Sequence, residues 1–371
     1  MKILCIGAGS MGRRRLRDLT YLSRGDILHC EKSEERCTQA AAAFGVPGFT
    51  NLEEALSQSP DVVTVSTPPS LHEEPVRQAM KIGAHIFAEV PFFLDLKSMR
   101  ELARQAAGYP AVLAASHSFR MYPPVRLIRE LITSGAIGAP LYFEHSLGNH
   151  VAAWHAYERY QDFYAGDIRM GGAGMDMLPH DFLGIQWWMG KVESVYARLS
   201  KVSGLEVNGP DVHDVLLTFD SGAKGFFHND IIEHGTVGRH VRIAGETGTI
   251  EWRQDQPGLR LYQAGRKVNE TLGFDRARDW NAAVEASSEM FEILAKQRIA
   301  SGQPPAPVLT NFTYESCYLR EIRHFLDAVE GKLLYDDYVT LDEELHNVEI
   351  YHAVLRSSET GQEVRIREVG K

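Results

Sequence analysis

Two residues suited to acid–base chemistry stand four positions apart in a glycine-rich segment. Asp176 and His180 follow residues 171–174, which read Gly-Gly-Ala-Gly. On a helix this spacing is one turn, so the two side chains share a face. A carboxylate beside an imidazole orients the ring and raises its basicity, and histidine titrates near neutral pH, as a general base for a hydroxyl proton should. The alternative is a buried histidine with satisfied hydrogen bonds at the start of a helix.

A second pattern, Gly-Ala-Gly-Ser-Met-Gly at residues 7–12, fits G-x-G-x-x-G. It follows a predicted strand and opens a predicted helix, the context in which this pattern binds a dinucleotide. The first glycine permits a tight turn, the second lets the backbone approach the pyrophosphate, and the third lets helix and strand pack closely. The alternative is a purely structural turn. The predicted contact residues are Gly7, Gly9, Ser10, Met11 and Gly12.

An acidic residue follows the second predicted strand at the distance that a ribose-binding carboxylate requires. Glu31 lies 19 residues after Gly12, close to the spacing of about 20 at which such a residue accepts from the adenosine ribose. A carboxylate there would repel a 2′-phosphate, which favours NAD over NADP. Lys32 and Arg36 are nearby cations that could serve NADP and so weaken this preference.

Three consecutive arginines, Arg13, Arg14 and Arg15, occupy the first turn of the same predicted helix. Cations are unfavourable at a helix N-terminus unless an anion compensates them. Either one of them reaches the pyrophosphate or an acidic substrate, or the three form a solvated face.

Aromatic rings alternate with polar groups along residues 149–164. This composition suits a sugar pocket, where apolar ring faces stack on the sugar and polar edges bind its hydroxyls. His155 and Tyr160 are the candidates for direct roles. The alternative is an ordinary aromatic loop packed on a sheet.

The elements that must position these residues form two blocks, which predict an α/β protein. In the first block short apolar runs alternate with helical patterns, which predicts an N-terminal doubly wound Rossmann domain over residues 1–120. In the second, longer runs alternate with period two and are separated by turn signals such as Ser221-Gly222. This predicts a C-terminal α+β domain over residues 121–371 with an open, mostly antiparallel sheet. Helices predicted at 181–188, 314–329 and 341–355 would cover one face of that sheet.

Composition excludes several classes of protein. The 371 residues carry a formal net charge of −10 and no long basic run, which argues against nucleic-acid binding. The sequence shows neither a signal peptide nor an apolar stretch long enough to span a membrane, so we expect a cytoplasmic protein. The four cysteines form no C-x-x-C pair and the histidines form no H-E-x-x-H motif, so we expect structural thiols and no metal.

Several ordered motifs resemble the glucose–fructose oxidoreductase/inositol dehydrogenase (Gfo/Idh/MocA) family over almost the whole chain. Residues 65–72, Val-Ser-Thr-Pro-Pro-Ser-Leu-His, look like the family segment that lines the dinucleotide. Glu89 and Pro91 look like its Glu-Lys-Pro segment, and residues 171–181 look like its glycine-rich segment. By this resemblance the further cofactor contacts are Thr67, Pro68, His72 and Glu89.

The resemblance implies hydride transfer between the nicotinamide of NAD and a C–H of a sugar, sugar acid or cyclitol, with His180 as acid/base. It also implies a homodimer or homotetramer. The chain departs from the family at Val90, because the family's central lysine hydrogen-bonds the reacting hydroxyl and valine cannot.

Three explanations of Val90 stay open. His180 acts alone, another side chain substitutes, or the reaction differs. Some NAD-dependent glycosidases of the family resemble this chain in having valine there. They oxidise the sugar, eliminate the leaving group, add water and return the hydride, so the net reaction is hydrolysis. A non-catalytic dinucleotide-binding sensor is the third class of function.

Overall fold

The chain folds into two compact units. The computed structural model describes residues 1–155, 158–235, 238–266, 268–304, 310–332 and 339–370. One unit comprises Met1–Phe92, Glu101–Tyr122 and Asp279–Leu341, and the other comprises Phe93–Arg100, Pro123–Arg278 and Asp342–Lys371. Within the described ranges, no helix is both long enough and apolar enough to cross a membrane.

The first 115 residues alternate strands and helices as predicted. All strand pairs in this region are parallel, in the order β3-β2-β1-β4-β5-β6. This is the Rossmann strand order and confirms the doubly wound sheet. The strands are β1 (Lys2–Ile6), β2 (Asp26–Cys30), β3 (Gly48–Phe49), β4 (Val62–Val65), β5 (His85–Ala88) and β6 (Leu113–Ala115). The helices are α1 (Ser10–Leu22), α2 (Glu34–Phe44), α3 (Leu52–Ser57), α4 (Glu73–Lys81) and α5 (Leu96–Ala106).

Local sequence explains where these elements lie. The strands are continuous apolar runs because a parallel sheet is buried on both faces, and all four residues of β4 are buried. Helix α2 begins where the Ser33 side chain accepts from the Arg36 N–H, and α3 begins where Asn51 accepts from the Glu54 N–H. Such caps satisfy N–H groups that have no partner inside the helix.

The second sheet has nine strands in the order β14-β13-β12-β11-β7-β10-β9-β8-β15. Every pair is antiparallel except β7 with β10, which confirms the open, mostly antiparallel sheet. The strands are β7 (Pro140–Gly148), β8 (Val192–Ser200), β9 (Val212–Phe219), β10 (Lys224–Asp230), β11 (His240–Gly245), β12 (Gly248–Arg253), β13 (Gly258–Gln263), β14 (Val268–Gly273) and β15 (Val364–Arg365). The remaining helices are α6 (Pro123–Thr133), α7 (Met177–Met189), α8 (Trp280–Ala300), α9 (Glu315–Val329) and α10 (Leu341–Thr360).

Helix α7 covers one face of this sheet. Phe182 on α7 lies 5.1 Å, centroid to centroid, from Phe227 on β10, and Phe227 stacks on His145 of β7 at 5.1 Å. Side chains alternate between the two faces of a strand, so alternate residues of β9 and β10 are buried. This packing fixes the helix that carries His180.

Helix α9 does not cover the second sheet, and that prediction is wrong. Its Ile322, Phe325 and Leu326 belong to one buried cluster with Ile3 and Phe87 of the first unit. The rings of Phe87 and Phe325 lie 5.1 Å apart. The compact units accordingly place residues 279–341 with the Rossmann sheet, whereas the sequence-based division was a single boundary at residue 120. The amphipathic pattern of α9 predicts a covering helix but not which sheet it covers.

The four cysteines are buried. Burial raises the pKa of Cys5 to about 12 and that of Cys30 to about 11. They therefore behave as small apolar core residues at neutral pH, in agreement with the structural thiols expected from the sequence.

A buried arginine joins four elements of the first unit. Arg15 on α1 has no exposed surface. Its Nε donates to Glu89 Oε1 at 2.9 Å, and its Nη2 donates to Ser116 Oγ at 2.7 Å and to Glu321 Oε2 at 3.1 Å. The guanidinium carbon lies 4.7 Å from the centroid of the Phe87 ring. These contacts tie α1 to the ends of β5 and β6 and to α9; we call Arg15, Glu89, Ser116 and Glu321 the Arg15 cluster.

The Arg15 cluster contains two carboxylates for one guanidinium. The excess negative charge is reduced by a raised pKa of one carboxyl group and by a backbone donor. Burial raises the pKa of Glu321 to about 7, against the opposing charge of Arg15. The backbone N–H of His117 also donates to Glu321. Removing Arg15 would leave two buried carboxylates with hydrogen-bond donors but without a compensating positive charge from this residue.

We expect Arg15→Met to lower the free energy of unfolding by about 3–5 kcal/mol, the usual cost of breaking a buried ion pair. The loss should be larger at pH 8 than at pH 5. Without the cation the folded carboxyl groups bind protons more tightly than the unfolded ones, so stability falls as pH rises. Urea denaturation at both pH values measures this. Arg13→Met, at an exposed position on the same helix, is the control, and an equal loss in both variants would contradict the assignment.

Candidate functional site

The glycine loop, residues 7–12, turns from β1 into α1, and its three glycines are required for different reasons. Gly7 has φ +92°, and a Cβ there would lie 2.7 Å from Ser66 O. A Cβ on Gly12 would lie 1.9 Å from Gly7 O. A Cβ on Gly9 would meet no protein atom within 4 Å. Packing therefore demands glycine at positions 7 and 12, whereas at Gly9 only the approach of a ligand would demand it.

The first turn of α1 positions its arginines in three different ways. The Nη1 of Arg14 donates to Ser10 Oγ at 2.7 Å and lies 3.7 Å from Met11 Sδ, while its Nε pairs with Glu315 at 3.1 Å. Arg13 is exposed, and Arg15 is the centre of the buried cluster. Arg14 thus holds the side chains of the glycine loop, and the three arginines do not form one solvated face.

Glu31 is fastened to the glycine loop. Its Oε2 accepts from the Ala8 N–H at 2.9 Å, and its Oε1 accepts from the Ser33 N–H at 2.9 Å and pairs with Arg36 at 3.0 Å. Burial alone would raise the pKa of Glu31, but these hydrogen bonds and the Arg36 charge bring it below its ordinary value. The carboxylate is therefore ionised at neutral pH and bridges the end of β2 to the loop.

The segment after β4 is held by His72. Its Nε2 lies 2.8 Å from Thr67 O and its Nδ1 lies 2.8 Å from Pro91 O, in a fully buried ring. Burial lowers the pKa of His72. The ring thus links the Thr67–Pro68 turn to Pro91, which follows a cis peptide bond. Any contribution of His72 to a ligand site is through the backbone that it holds.

Glu89 and Val90 end β5 with opposite characters. Glu89 is engaged in the Arg15 cluster and accepts from Ser66 Oγ at 3.3 Å. Val90 is apolar and only 2% exposed. This short segment therefore supplies a fixed carboxylate but no proton donor at position 90.

The loop fits a dinucleotide. Gly9 leaves room beside the start of α1, where helix N–H groups favour a pyrophosphate. Glu31 offers an ionised acceptor for a ribose hydroxyl, and the buried Thr67 Oγ1 has no hydrogen-bond partner among the described residues. Within the same ranges, no group of three or more His, Cys, Asp or Glu residues could hold a metal ion.

In the second unit, Asp176 immediately precedes α7 and His180 lies one turn later. Asp176 Oδ2 accepts from the Tyr164 hydroxyl at 2.9 Å. Its Oδ1 is buried and has no hydrogen-bond partner in the described part of the chain. Burial raises the pKa of Asp176 to about 6, against the hydrogen bond from Tyr164. Asp176 is therefore paired with Tyr164 rather than with His180.

His155 and Tyr160 lie on the aromatic loop before α7. The ring of His155 stacks on Phe163 at 4.3 Å, and its Nδ1 lies 2.6 Å from Glu158 Oε1. The Tyr160 hydroxyl accepts from the Glu206 N–H at 3.1 Å, and its ring packs on a small apolar cluster. These contacts stabilise the loop; direct roles for the two residues stay predictions. Ala156 and Tyr157 lie outside the described residues.

Sequence reasoning missed three residues that the structure places at these sites. Ser116 and Glu321, the partners of Arg15, were not candidates, although a cation so near a helix N-terminus indicated that some anion compensates it. Tyr164 stands in the aromatic run but was not distinguished from its neighbours. Each acts through a partner distant in sequence, which local patterns do not identify.

Two family models match the chain. Residues 1–117 match the model described as an oxidoreductase family with an NAD-binding Rossmann fold, GFO/IDH/MocA. Residues 125–251 match the model of the GFO/IDH/MocA C-terminal domain.

Individual proteins support the same relationship. An uncharacterized oxidoreductase of Synechocystis sp. is 27% identical over 59% of this chain, and the match spans 62% of that protein's length. A 1,5-anhydro-D-fructose reductase of Ensifer adhaerens is 27% identical over 69% of this chain and 81% of the reductase. The structure of a levoglucosan dehydrogenase with NADH and levoglucosan superposes with a TM-score of 0.76 at 19% identity and covers 99% of both chains. At that identity the structure shows the fold.

The glycine loop predicts a contrast between two alanine variants. Gly12→Ala should lower the free energy of unfolding by about 1–3 kcal/mol because of overpacking against Gly7. Gly9→Ala should leave stability within about 0.5 kcal/mol but weaken NADH binding, because the added methyl group occupies the approach to the loop. Thermal unfolding and NADH fluorescence titration measure the two effects. Unchanged NADH affinity in Gly9→Ala would contradict the placement of the dinucleotide.

Glu31→Gln should change the choice between NADH and NADPH. The amide oxygen can still accept from the Ala8 N–H, but the charge that repels a 2′-phosphate is gone and Arg36 loses its partner. We expect NADPH affinity to rise by about tenfold, equivalent to about 1.4 kcal/mol, as measured by fluorescence titration. Glu34→Gln, an exposed position on α2, removes the same charge and is the control. An equal rise in the control would assign the effect to net charge instead.

Proposed function

Because the chain belongs to the GFO/IDH/MocA family of NAD-binding oxidoreductases, we propose that it transfers hydride between a hydroxyl-bearing carbon and the nicotinamide of NAD(H). The substrate class is a sugar, sugar acid or cyclitol. His180 is the acid/base that takes or returns the hydroxyl proton.

The observation that carries this proposal is the bond between Glu31 and the glycine loop. A carboxylate that accepts from Ala8 N–H at 2.9 Å and stays ionised is held where a Rossmann fold binds the adenosine ribose. Its negative charge would repel a 2′-phosphate. Its pairing with Arg36 also engages a cation that could otherwise bind that phosphate, so both features favour NAD over NADP. The bound cofactor supplies the hydride acceptor or donor.

The proton chemistry belongs to the second unit. Oxidation of an alcohol releases one proton for each hydride, so the enzyme needs a base near neutral pH. Histidine is the side chain that ordinarily serves this purpose, and we assign the role to His180. Asp176, whose pKa burial raises to about 6, stays largely ionised at neutral pH and favours a positive charge nearby.

The names of the relatives support the substrate class. The 1,5-anhydro-D-fructose reductase is similar to this chain in sequence, and the levoglucosan dehydrogenase is similar to it in fold. Both named substrates are neutral polyhydroxy compounds. We therefore propose the same class of substrate for the present chain, and these two compounds are the first members of it to test.

A second candidate function is a redox-neutral, NAD-dependent glycosidase. The observation that favours it is Val90, which is buried and has no donor where the family lysine would help move the hydroxyl proton. In such a reaction the substrate is oxidised, its leaving group is eliminated, water adds, and the hydride returns. The cofactor is then recycled rather than released.

His180→Asn should lower kcat by about 10²–10⁴-fold, the typical contribution of a general base, and leave NADH affinity unchanged. Turnover is followed as cofactor reduction with levoglucosan or myo-inositol, or as NADH oxidation with 1,5-anhydro-D-fructose. His240→Asn, on β11 in the same unit, is the control and should retain activity. Equal activity in both variants would remove His180 from the reaction.

The nucleotide released from denatured protein, purified without added cofactor, separates the functions. Reversible NADH binding with one cofactor reduced for each product supports the proposed dehydrogenase. Tightly held NAD near one per chain, with glycoside hydrolysis and no net cofactor reduction, would favour the glycosidase. Binding without any turnover would indicate a sensor, and no dinucleotide affinity would overturn the proposal.

A further inference from the structure

One carboxylate oxygen of Asp176 is buried without a hydrogen-bond donor among the described residues, and the role of His180 as general base does not explain it. Tyr164 donates its hydroxyl to one oxygen of Asp176 at 2.9 Å. Asp176 is only 8% exposed. Its other oxygen, Oδ1, is buried and has no hydrogen-bond partner among the described residues. A buried carboxylate oxygen without a donor is costly and calls for a specific explanation.

The glycine-rich segment is what brings the two residues together. A Cβ on Gly172 would lie 1.9 Å from Tyr164 O, so only glycine allows the two main chains to approach. The Ala173 N–H donates to Ala165 O at 2.7 Å, and the Gly172 N–H donates to Asp167 O at 3.1 Å. These bonds fasten the aromatic loop to the backbone just before α7. The segment therefore sets the position of the Tyr164 hydroxyl relative to Asp176.

We propose that Tyr164 is a positioning residue, which holds Asp176 ionised and oriented so that Oδ1 accepts a hydrogen bond from a substrate hydroxyl. The inference rests on the proposed function and deepens it. Tyr164 takes one acceptor site of Oδ2, whereas Oδ1 has no donor among the described residues and keeps its acceptor sites for a substrate group. Since the tyrosine hydroxyl donates its only proton to Asp176, it fixes the carboxylate without competing for the substrate.

This arrangement narrows the chemistry of the substrate. An ionised carboxylate accepts hydrogen bonds and donates none, so the substrate group that meets Asp176 is a donor, which in the proposed class of substrate is a hydroxyl. A carboxylate at that position of the substrate would face a like charge in a buried setting, which is unfavourable. The site therefore selects a polyhydroxy edge, and any acidic group of the substrate lies elsewhere on the molecule.

Besides Tyr164 from the aromatic loop, the backbone N–H groups of Asp176 and Met177 lower the pKa of the Asp176 carboxyl. Tyr351 of α10 lies within electrostatic reach, because the Asp176 charge contributes to raising the pKa of Tyr351 to about 12 after the larger effect of burial. His180 follows one turn along α7. Tyr351 makes no hydrogen bond to Asp176, because Tyr164 is the partner of Oδ2 and Oδ1 has none. Tyr351 is therefore a matched control for Tyr164.

The test is Tyr164→Phe, which keeps the ring and removes the hydrogen bond. Loss of a bond that lowers the pKa of Asp176 should raise that pKa by about one unit. Activity that needs the ionised carboxylate is lost as pH falls through its pKa, so the acid limb of the kcat/KM profile should move to higher pH. At neutral pH kcat/KM should fall by about tenfold, because the smaller ionised fraction of Asp176 and the lost hydrogen bond that orients its carboxylate both reduce it. The probes are levoglucosan with NAD and 1,5-anhydro-D-fructose with NADH.

A second readout needs neither cofactor nor substrate. Carboxyl ¹³C NMR of full-length, aspartate-labelled protein follows the titration of Asp176, assigned as the resonance absent from Asp176→Asn. The inference is supported if the titration shifts upward in Tyr164→Phe and not in Tyr351→Phe. It is overturned if neither shifts, if both shift equally, or if the titration shifts while the acid limb of the rate profile stays in place.

These readouts separate the inference from the proposed function. If the wild-type protein does not bind NADH, the proposed function is wrong. The substrate role of Asp176 is then wrong as well, whatever the NMR titration shows. If the wild-type protein binds NADH and turns over substrate, and Tyr164→Phe does not differ from it, only the inference about Tyr164 is wrong.

Discussion

A guanidinium with no exposed surface is the constraint on which the first unit depends. Arg15 reaches the ends of two neighbouring sheet strands and a helix that follows 306 positions later in the sequence. A charge buried this deeply is tolerated only because several acceptors surround it. The same helix, α1, begins in the glycine loop, so the charge cluster and the loop share one rigid element. Fixing Arg15 therefore fixes the helix start that would face the pyrophosphate.

Close approach of main chains recurs in both units and has the same physical basis. In the first, Gly12 lets α1 pass the carbonyl of Gly7; in the second, Gly172 lets the glycine-rich segment pass the carbonyl of Tyr164. In each case a backbone contact too tight for a side chain places a polar group with accuracy. The groups so placed are the N–H donors of the loop in one unit and the Asp176 carboxylate in the other.

Local sequence predicted much of the fold but little of the tertiary pairing. The alternation of strands and helices in the first sheet was predicted, because continuous apolar runs broken by glycine and proline are distinctive. Helix α8 was missed because its buried side chains include alanine and serine as well as Met290 and Ile293, so its apolar stripe is weak. The motif residues Gly9, Glu31 and Asp176 were predicted because their spacing is local. The partners of Arg15 could not be, because periodicity within a window carries no information about residues hundreds of positions away.

The return of α9 to the first unit has a consequence for the order of events during synthesis. Phe87 lies in the first quarter of the chain, but its ring partner Phe325 leaves the ribosome more than 200 residues later. At about 5–20 residues per second this is a delay of roughly 10–50 s. Throughout that interval the nascent Rossmann sheet lacks one covering helix, and Arg15 lacks one of its two carboxylates. The nucleotide-binding half of this protein, although made first, is completed only after almost the whole of the other half has been translated.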